Sequence, residues 1–261
     1  MYRFDLLRES TTRGKENVSA EESFDLFGPA HLITMLLLLI AGIVIVWAVR
    51  HWSSTEQAKK MAMAIGVFMI VQEVFDRSCH HYLGGEPLRE VLPFHLCGMS
   101  VVLTAIMLIT LSRWIYELVY FWGLVGASMA ILTPDIKYAF PNIVYITYFT
   151  SHALIVIGVF YMTIIFQYRP TLWSLGKVLV LTNVYMLVVT PINLVLDTNY
   201  LFLRHKPVGI TLFDAFGPWP WYIPGLEVVG TLLFALVYAP WFIKDRLALP
   251  RAYDLGSQIS D

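Results

Sequence analysis

The run Ala30-His31-Leu32-Ile33-Thr34-Met35-Leu36-Leu37-Leu38-Leu39-Ile40-Ala41-Gly42-Ile43-Val44-Ile45-Val46-Trp47-Ala48-Val49 is apolar almost throughout, with His31 as its one ionisable side chain. A helix rises about 1.5 Å per residue, so roughly 20 such residues cross the ~30 Å hydrocarbon core of a bilayer. The run reads as a membrane span. Six more follow at about 61–80, 95–111, 114–132, 146–166, 175–196 and 222–243, and together they fill nearly the whole chain. Ser53-Ser54-Thr55-Glu56-Gln57 separates the first two, Pro134 marks the exit of the fourth, and Pro191 lies inside the sixth. The expected fold class is therefore an all-α integral membrane protein, one domain of about seven transmembrane helices over 29–246. Polar tails at 1–28 and 247–261 flank it.

Composition agrees. Of 261 residues, 57% are hydrophobic and 14% charged, a balance that places the chain in the membrane class. Fourteen Tyr, eight Trp and sixteen Phe suit aromatic belts at the two interfaces, and Trp219-Pro220-Trp221 sets an anchor before the seventh span. A net charge of −1 gives nucleic acid no reason to bind. The charged N-terminus lacks the apolar core of a cleavable signal peptide, so the first span is expected to act as the insertion signal. Loops after odd-numbered spans, with the C-terminal tail, carry nine Lys and Arg against five on the other side, which favours an outside N-terminus and an inside C-terminus. Arg3, Arg8, Arg13 and Lys15 of the tail even that count and are discounted only for their distance from the first span.

Polar residues within the spans gather at one membrane face, where odd spans start and even spans end. Starts supply His31, His95, Cys97, Ser100, Ser151, His152 and Glu227, and ends supply Glu73, Asp76, His80, His81, Asp135, Asn193 and Asp197. Helical spacing puts Glu73, Asp76 and His80 on one face of the second span. It does the same for Cys97, Ser100 and Thr104 on the third, and for Asn183, Met186, Thr190, Asn193 and Asp197 on the sixth. An ionisable group facing lipid near mid-bilayer costs at least ~2.5 kcal/mol, so these stripes are expected to face a polar cavity within the bundle. The plainer reading is that Asn, Thr and Glu serve as hydrogen-bonding glue between helices.

Within that cluster, Leu92-Pro93-Phe94-His95-Leu96-Cys97-Gly98 brings a cysteine into the first turn of a helix, where the dipole favours the thiolate. His152, at the same face, is the candidate base of a Cys–His pair for acyl transfer. Asp197, Glu73 and Asn193 are the candidates for orienting its imidazole. His95, Ser100 or backbone N–H groups at the start of the third span could receive an oxyanion. Rival readings stand beside this one: a structural Cys and His, a Cys79–Cys97 disulfide, or zinc held by His31, His80, His95 and His152 in the manner of alkaline ceramidases. A transporter or non-catalytic lipid-binding protein with Glu73, Asp76 and Asp197 as coupling groups is the alternative from another class.

Four elements carry a family resemblance: Phe27-Gly28-Pro29-Ala30-His31-Leu32, Leu92-Pro93-Phe94-His95-Leu96-Cys97, Tyr120-Phe121-Trp122-Gly123 and Ser151-His152. Over roughly the last nine-tenths of its length the chain resembles the YwaF family of bacterial integral membrane proteins. That family is similar to the eukaryotic transmembrane protein 164, an acyltransferase of ether-phospholipid remodelling that depends on one Cys and one His. The resemblance implies Cys97 and His152 in those roles, with phospholipid and lysophospholipid as partners, a bacterial cell membrane as location and no cofactor or metal. A more distant likeness to the androgen-induced membrane hydrolases, whose nucleophile is a Thr elsewhere, keeps a lipid hydrolase using the same site in view.

Overall fold

The computed structural model describes residues 23–207 and 212–248, so most of the two expected tails lies outside the described residues. Seven helices follow in chain order: α1 Pro29–Trp52, α2 Thr55–Tyr82, α3 Leu96–Thr110, α4 Arg113–Leu132, α5 Ile143–Ile164, α6 Leu172–Leu196 and α7 Tyr222–Ala248. No strand of more than an isolated bridge occurs among the described residues. Local chemistry sets the ends. Pro29 opens α1, capping boxes at Ser54/Gln57 and Thr171/Ser174 start α2 and α6, and Asn142 caps α5 through Val144 N–H. Leu111 and Asp197 stop α3 and α6 in the left-handed conformation.

Five of the seven helices are both long and apolar enough to span a membrane. The other two differ for separate reasons. α2 carries Lys59, Lys60, Glu73, Asp76 and Arg77. α3 has 15 residues, about 22 Å, because the chain at 83–95 folds back before the helix begins. Arg77 of α2 lies against Gly98 of α3, yet α2 continues to Tyr82, about 8 Å further. The N-terminus of α3 is thus sunk below the end of its neighbour. Irregular backbone at such depth is tolerated where protein surrounds it, and here the Tyr185 hydroxyl donates to the Phe94 carbonyl at 2.9 Å.

α4 and α5 form the centre of the bundle and are about half buried, whereas α1, α6 and α7 turn most of their apolar surface outward. Leu36, Leu37 and Leu39 of α1 and Val180, Leu187 and Val195 of α6 make up a lipid-facing exterior. The sixth-span stripe does not all point inward as expected. Asn183 and Thr190 are exposed; Thr190 bonds back to the Met186 carbonyl of its own helix (2.8 Å), and Asn183 donates to the Leu179 carbonyl (3.0 Å) and across to Glu227 Oε1 of α7 (2.5 Å).

Bonds between helices fix which ends share a membrane face. His31 near the start of α1 reaches the Ile131 carbonyl at the end of α4 (2.8 Å), and Gln72 of α2 reaches the Thr147 carbonyl of α5 (3.0 Å). At the other face, Arg50 of α1 donates to the Ile164 carbonyl at the end of α5 (2.8 Å).

Candidate functional site

Depth can be read from one close contact. A Cβ built on Gly158 of α5 would sit 2.6 Å from Thr104 Cγ2 of α3, so these two positions touch. Cys97 lies seven residues before Thr104, and His152 lies six before Gly158. In two helices running the same way, that places them at the same depth to within about 1.5 Å.

His152 is buried, with 6% exposure. Its Nδ1 lies 2.7 Å from the Tyr148 carbonyl one turn earlier in α5. A carbonyl only accepts, so Nδ1 carries the hydrogen and the neutral ring presents Nε2 as its lone pair. The Tyr148 ring lies over the imidazole at 4.3 Å between centroids, and the Tyr148 hydroxyl is held by the Ala130 carbonyl of α4 at 3.2 Å. Ser151 Oγ donates to the same Tyr148 carbonyl at 2.9 Å.

Cys97 stands half-buried in the first turn of α3. The first helical bond there runs from Met99 N–H to the His95 carbonyl (3.0 Å), and the His95 side chain provides no cap. The N–H groups of Leu96, Cys97 and Gly98 therefore precede the helical ladder, at the positive end of the dipole. Opposite them α4 widens into a π-helix over Gly123–Ala127. Gly126 in that segment faces the thiol, since a Cβ there would lie 4.0 Å from Cys97 Sγ. No hydrogen bond joins Cys97 to His152 among the described residues, and both Cys97 and Cys79 are free thiols.

A cation completes the cluster. Arg77 of α2 holds Glu73 Oε1 through Nε (2.8 Å) and Nη2 (2.7 Å). The same Nη2 lies 2.8 Å from where a Gly98 Cβ would be, so the guanidinium rests on the bare backbone beside Cys97. Sequence reasoning did not bring Arg77 into the site; the glycine after Cys97 was the available signal.

The other candidate residues divide clearly. Asp76 accepts the Thr147 hydroxyl, lies 4.0 Å from His80 Nε2 and acts electrostatically on His152. Ser100 Oγ is buried without a partner, one turn beyond Cys97. His95 packs edge-to-face with Tyr200 (5.0 Å) and tilted against Phe202 (5.7 Å). Asn193 is held by the Tyr200 backbone and the Thr198 hydroxyl, not by the imidazole. Asp197 pairs with Arg204 at the surface (2.8 Å), and that guanidinium holds its carboxyl below the usual range. His31 accepts Phe27 N–H at Nδ1 (3.1 Å) and donates to the Ile131 carbonyl, a bracket between α1 and α4. Glu227 bonds Asn183 instead of joining the cluster. Among the described residues no three His, Cys, Asp or Glu are grouped to hold a metal.

Comparison with known proteins adds two findings. The sequence model of the TMEM164 family matches residues 26–238. An uncharacterized protein of Treponema pallidum (strain Nichols) is 27% identical over 190 residues, covering 70% of this chain and 75% of the relative. No solved structure matches. The matched stretch takes in all but the last turns of α7, with Cys97, His152, Arg77 and Gly126 inside it, and the chain belongs to the TMEM164 family.

Proposed function

We propose that the protein moves a fatty acyl chain between phospholipids through a thioester on Cys97, with His152 as the base. The observation that carries this reading is the pair itself. A cysteine at an uncapped helix N-terminus lies at the depth of a histidine whose Nδ1–H is spent on a backbone carbonyl, leaving Nε2 free.

In the first step His152 Nε2 takes the Cys97 proton and the sulfur attacks the ester carbonyl carbon of the donor lipid. The oxyanion forms near the free N–H groups of α3 and the Arg77 guanidinium, donors set in place before the reaction. The C–O bond to the glycerol oxygen then breaks, and the lysolipid leaves with the proton returned from His152. In the second step the hydroxyl of an acceptor lysolipid gives its proton to His152 and attacks the thioester, and the Cys97 thiol is restored. Water as acceptor turns the same site into a hydrolase. Catalytic hydrogen bonds commonly tighten only when substrate is bound, so a Cys97–His152 bond is expected in the complex.

The Tyr148 carbonyl, in this reading, takes the part that sequence reasoning offered to Asp197, Glu73 or Asn193. It is a neutral acceptor, which fixes the tautomer without placing a second charge in the membrane. The testing experiment incubates purified protein in mixed micelles with a phospholipid donor and an isotope-labelled lysophospholipid. Labelled diacyl product from the wild type, absent with Cys97→Ala, supports transfer. Free fatty acid in its place indicates hydrolysis, and equal product from Cys97→Ala removes Cys97 from the chemistry.

A further inference from the structure

One cavity is lined by neither Cys97 nor His152, although it begins at Ala153 beside the latter. A groove of about 700 Å³ runs between α1 and α5, with the far part of α4 also lining it. Leu38 and Val46 of α1, Ile131 of α4, and Val156 and Phe160 of α5 give it apolar walls. From Met35 to Arg50 it follows α1 for fifteen residues, about 22 Å, which is longer than one leaflet of a ~30 Å core. Its volume falls in the ~300–1,000 Å³ range of sites that enclose a small molecule.

One end of the groove is unlike the rest. Arg50 and His51 line it there, and the Trp47 ring packs on His51 (4.9 Å) and edge-on to Trp52 (4.8 Å). Clustered Trp beside a basic residue marks the headgroup level of a membrane. Arg50 Nη1 is tied across the mouth to the Ile164 carbonyl, and no carboxylate pairs with the guanidinium among the described residues. Nε and Nη2 are left as a planar pair of donors suited to a phosphate. His51 donates Nδ1–H to the Trp47 carbonyl (2.9 Å), which leaves its other nitrogen available. An apolar slot one acyl chain deep that ends at an unpaired arginine calls for an amphiphile with an anionic head.

We propose that this groove is a phospholipid-binding site on the membrane face opposite the Cys97 cluster, with an acyl chain between α1 and α5 and the phosphate on Arg50. Ile164 lies twelve residues beyond His152 on α5, so the two lipid positions are about 18 Å apart in depth. The inference does not depend on acyl transfer, and its test is one of binding.

Native mass spectrometry of delipidated Cys97→Ala protein, titrated with phosphatidylglycerol or with diacylglycerol of the same chains, provides that test without turnover. Arg50→Gln should lose one bound phosphatidylglycerol, its affinity falling about tenfold or more, and should leave diacylglycerol binding unchanged. Leu39→Trp fills the slot from an exposed position and should weaken both lipids while the helical circular dichroism is retained. Equal phosphatidylglycerol binding by Arg50→Gln, or equal affinity of the parent for the two lipids, overturns the proposal.

Discussion

Gly98→Ala tests the arrangement around Cys97 with a single methyl group. The new Cβ would lie 2.8 Å from Arg77 Nη2, 3.1 Å from Pro93 Cα and 3.3 Å from Pro93 Cβ. Proline backbone cannot yield, so the guanidinium must leave its seat and strain its 2.7–2.8 Å bonds to Glu73. Overpacking of this kind costs about 1–3 kcal/mol, while alanine in place of glycine in a helix returns about 0.5–1 kcal/mol. Net stability therefore falls by ~2.5 kcal/mol at most, a change that does not by itself report on the thiol. Thiol chemistry is more sensitive. A unit charge moved a few ångströms further from the thiol at an effective dielectric of ~20 withdraws on the order of 1 kcal/mol, or roughly fivefold in thiolate population. The assay is the alkylation rate of Cys97 by iodoacetamide in a Cys79→Ala background, where Cys97 is the one remaining cysteine. Gly98→Ala and Arg77→Gln should each slow it several-fold, and the double variant should be no slower than Arg77→Gln alone. Additive slowing would mean that the methyl blocks the reagent directly instead of displacing the guanidinium, and an unchanged rate in Arg77→Gln would mean that the guanidinium does not act on the thiol.

Three further outcomes follow from the same geometry. At Gly126 a Cβ meets only Cys97 Sγ, at 4.0 Å, so Gly126→Ala should keep the alkylation rate within about twofold whereas Gly126→Leu should cut it at least ~tenfold with little change in thermal midpoint. His31→Ala strands the Ile131 carbonyl and Phe27 N–H and should cost about 2–3 kcal/mol in denaturant unfolding, with activity per folded molecule retained. The His80 hydrogen bond holds the Glu86 carboxyl below the ordinary glutamate range. That contribution is lost as pH falls through the lowered value, so hydrogen exchange at 83–95 should accelerate there and Glu86→Gln should abolish the acid step.

The helices were legible because a membrane span depends on run length, and capping residues mark its ends. The boundaries read from apolar runs fall within a few residues of α1, α4, α5, α6 and α7. α3 matches its expected run to within a residue, and α2 departs most, because its start at Thr55 is set by a capping box in a polar stretch that apolarity does not register. Apolarity also says nothing about where in the bilayer a helix begins, so the sunken start of α3 behind 83–95 was invisible. The common depth of Cys97 and His152 was also legible, since it follows from counting residues from helix starts on one face. Helix rotation was not. Thr190 shows why a polar stripe is weak evidence of an inward face, for it is satisfied on its own helix and can meet lipid at little cost, while Asn183 is exposed and yet bonds across to Glu227 of α7. The imidazole partner escaped notice because a backbone carbonyl leaves no mark on the sequence, and every candidate considered was a side chain. The π-helix and the Arg77–Gly98 contact depend on inter-helix distances of a few tenths of an ångström, which no residue pattern encodes.

The central claim, that Cys97 and His152 act as one acyl-transferring pair, is tested most directly by trapping the thioester. Wild type, Cys97→Ala and His152→Ala would each be mixed with a phospholipid donor, without acceptor, quenched in acid and read by intact-protein mass spectrometry. The account predicts one added acyl mass on the wild type, localised to the peptide containing Cys97 and released by neutral hydroxylamine. It predicts none on Cys97→Ala and at least ~hundredfold slower accumulation on His152→Ala. Acyl mass on another residue, or accumulation on His152→Ala at the wild-type rate, would contradict it.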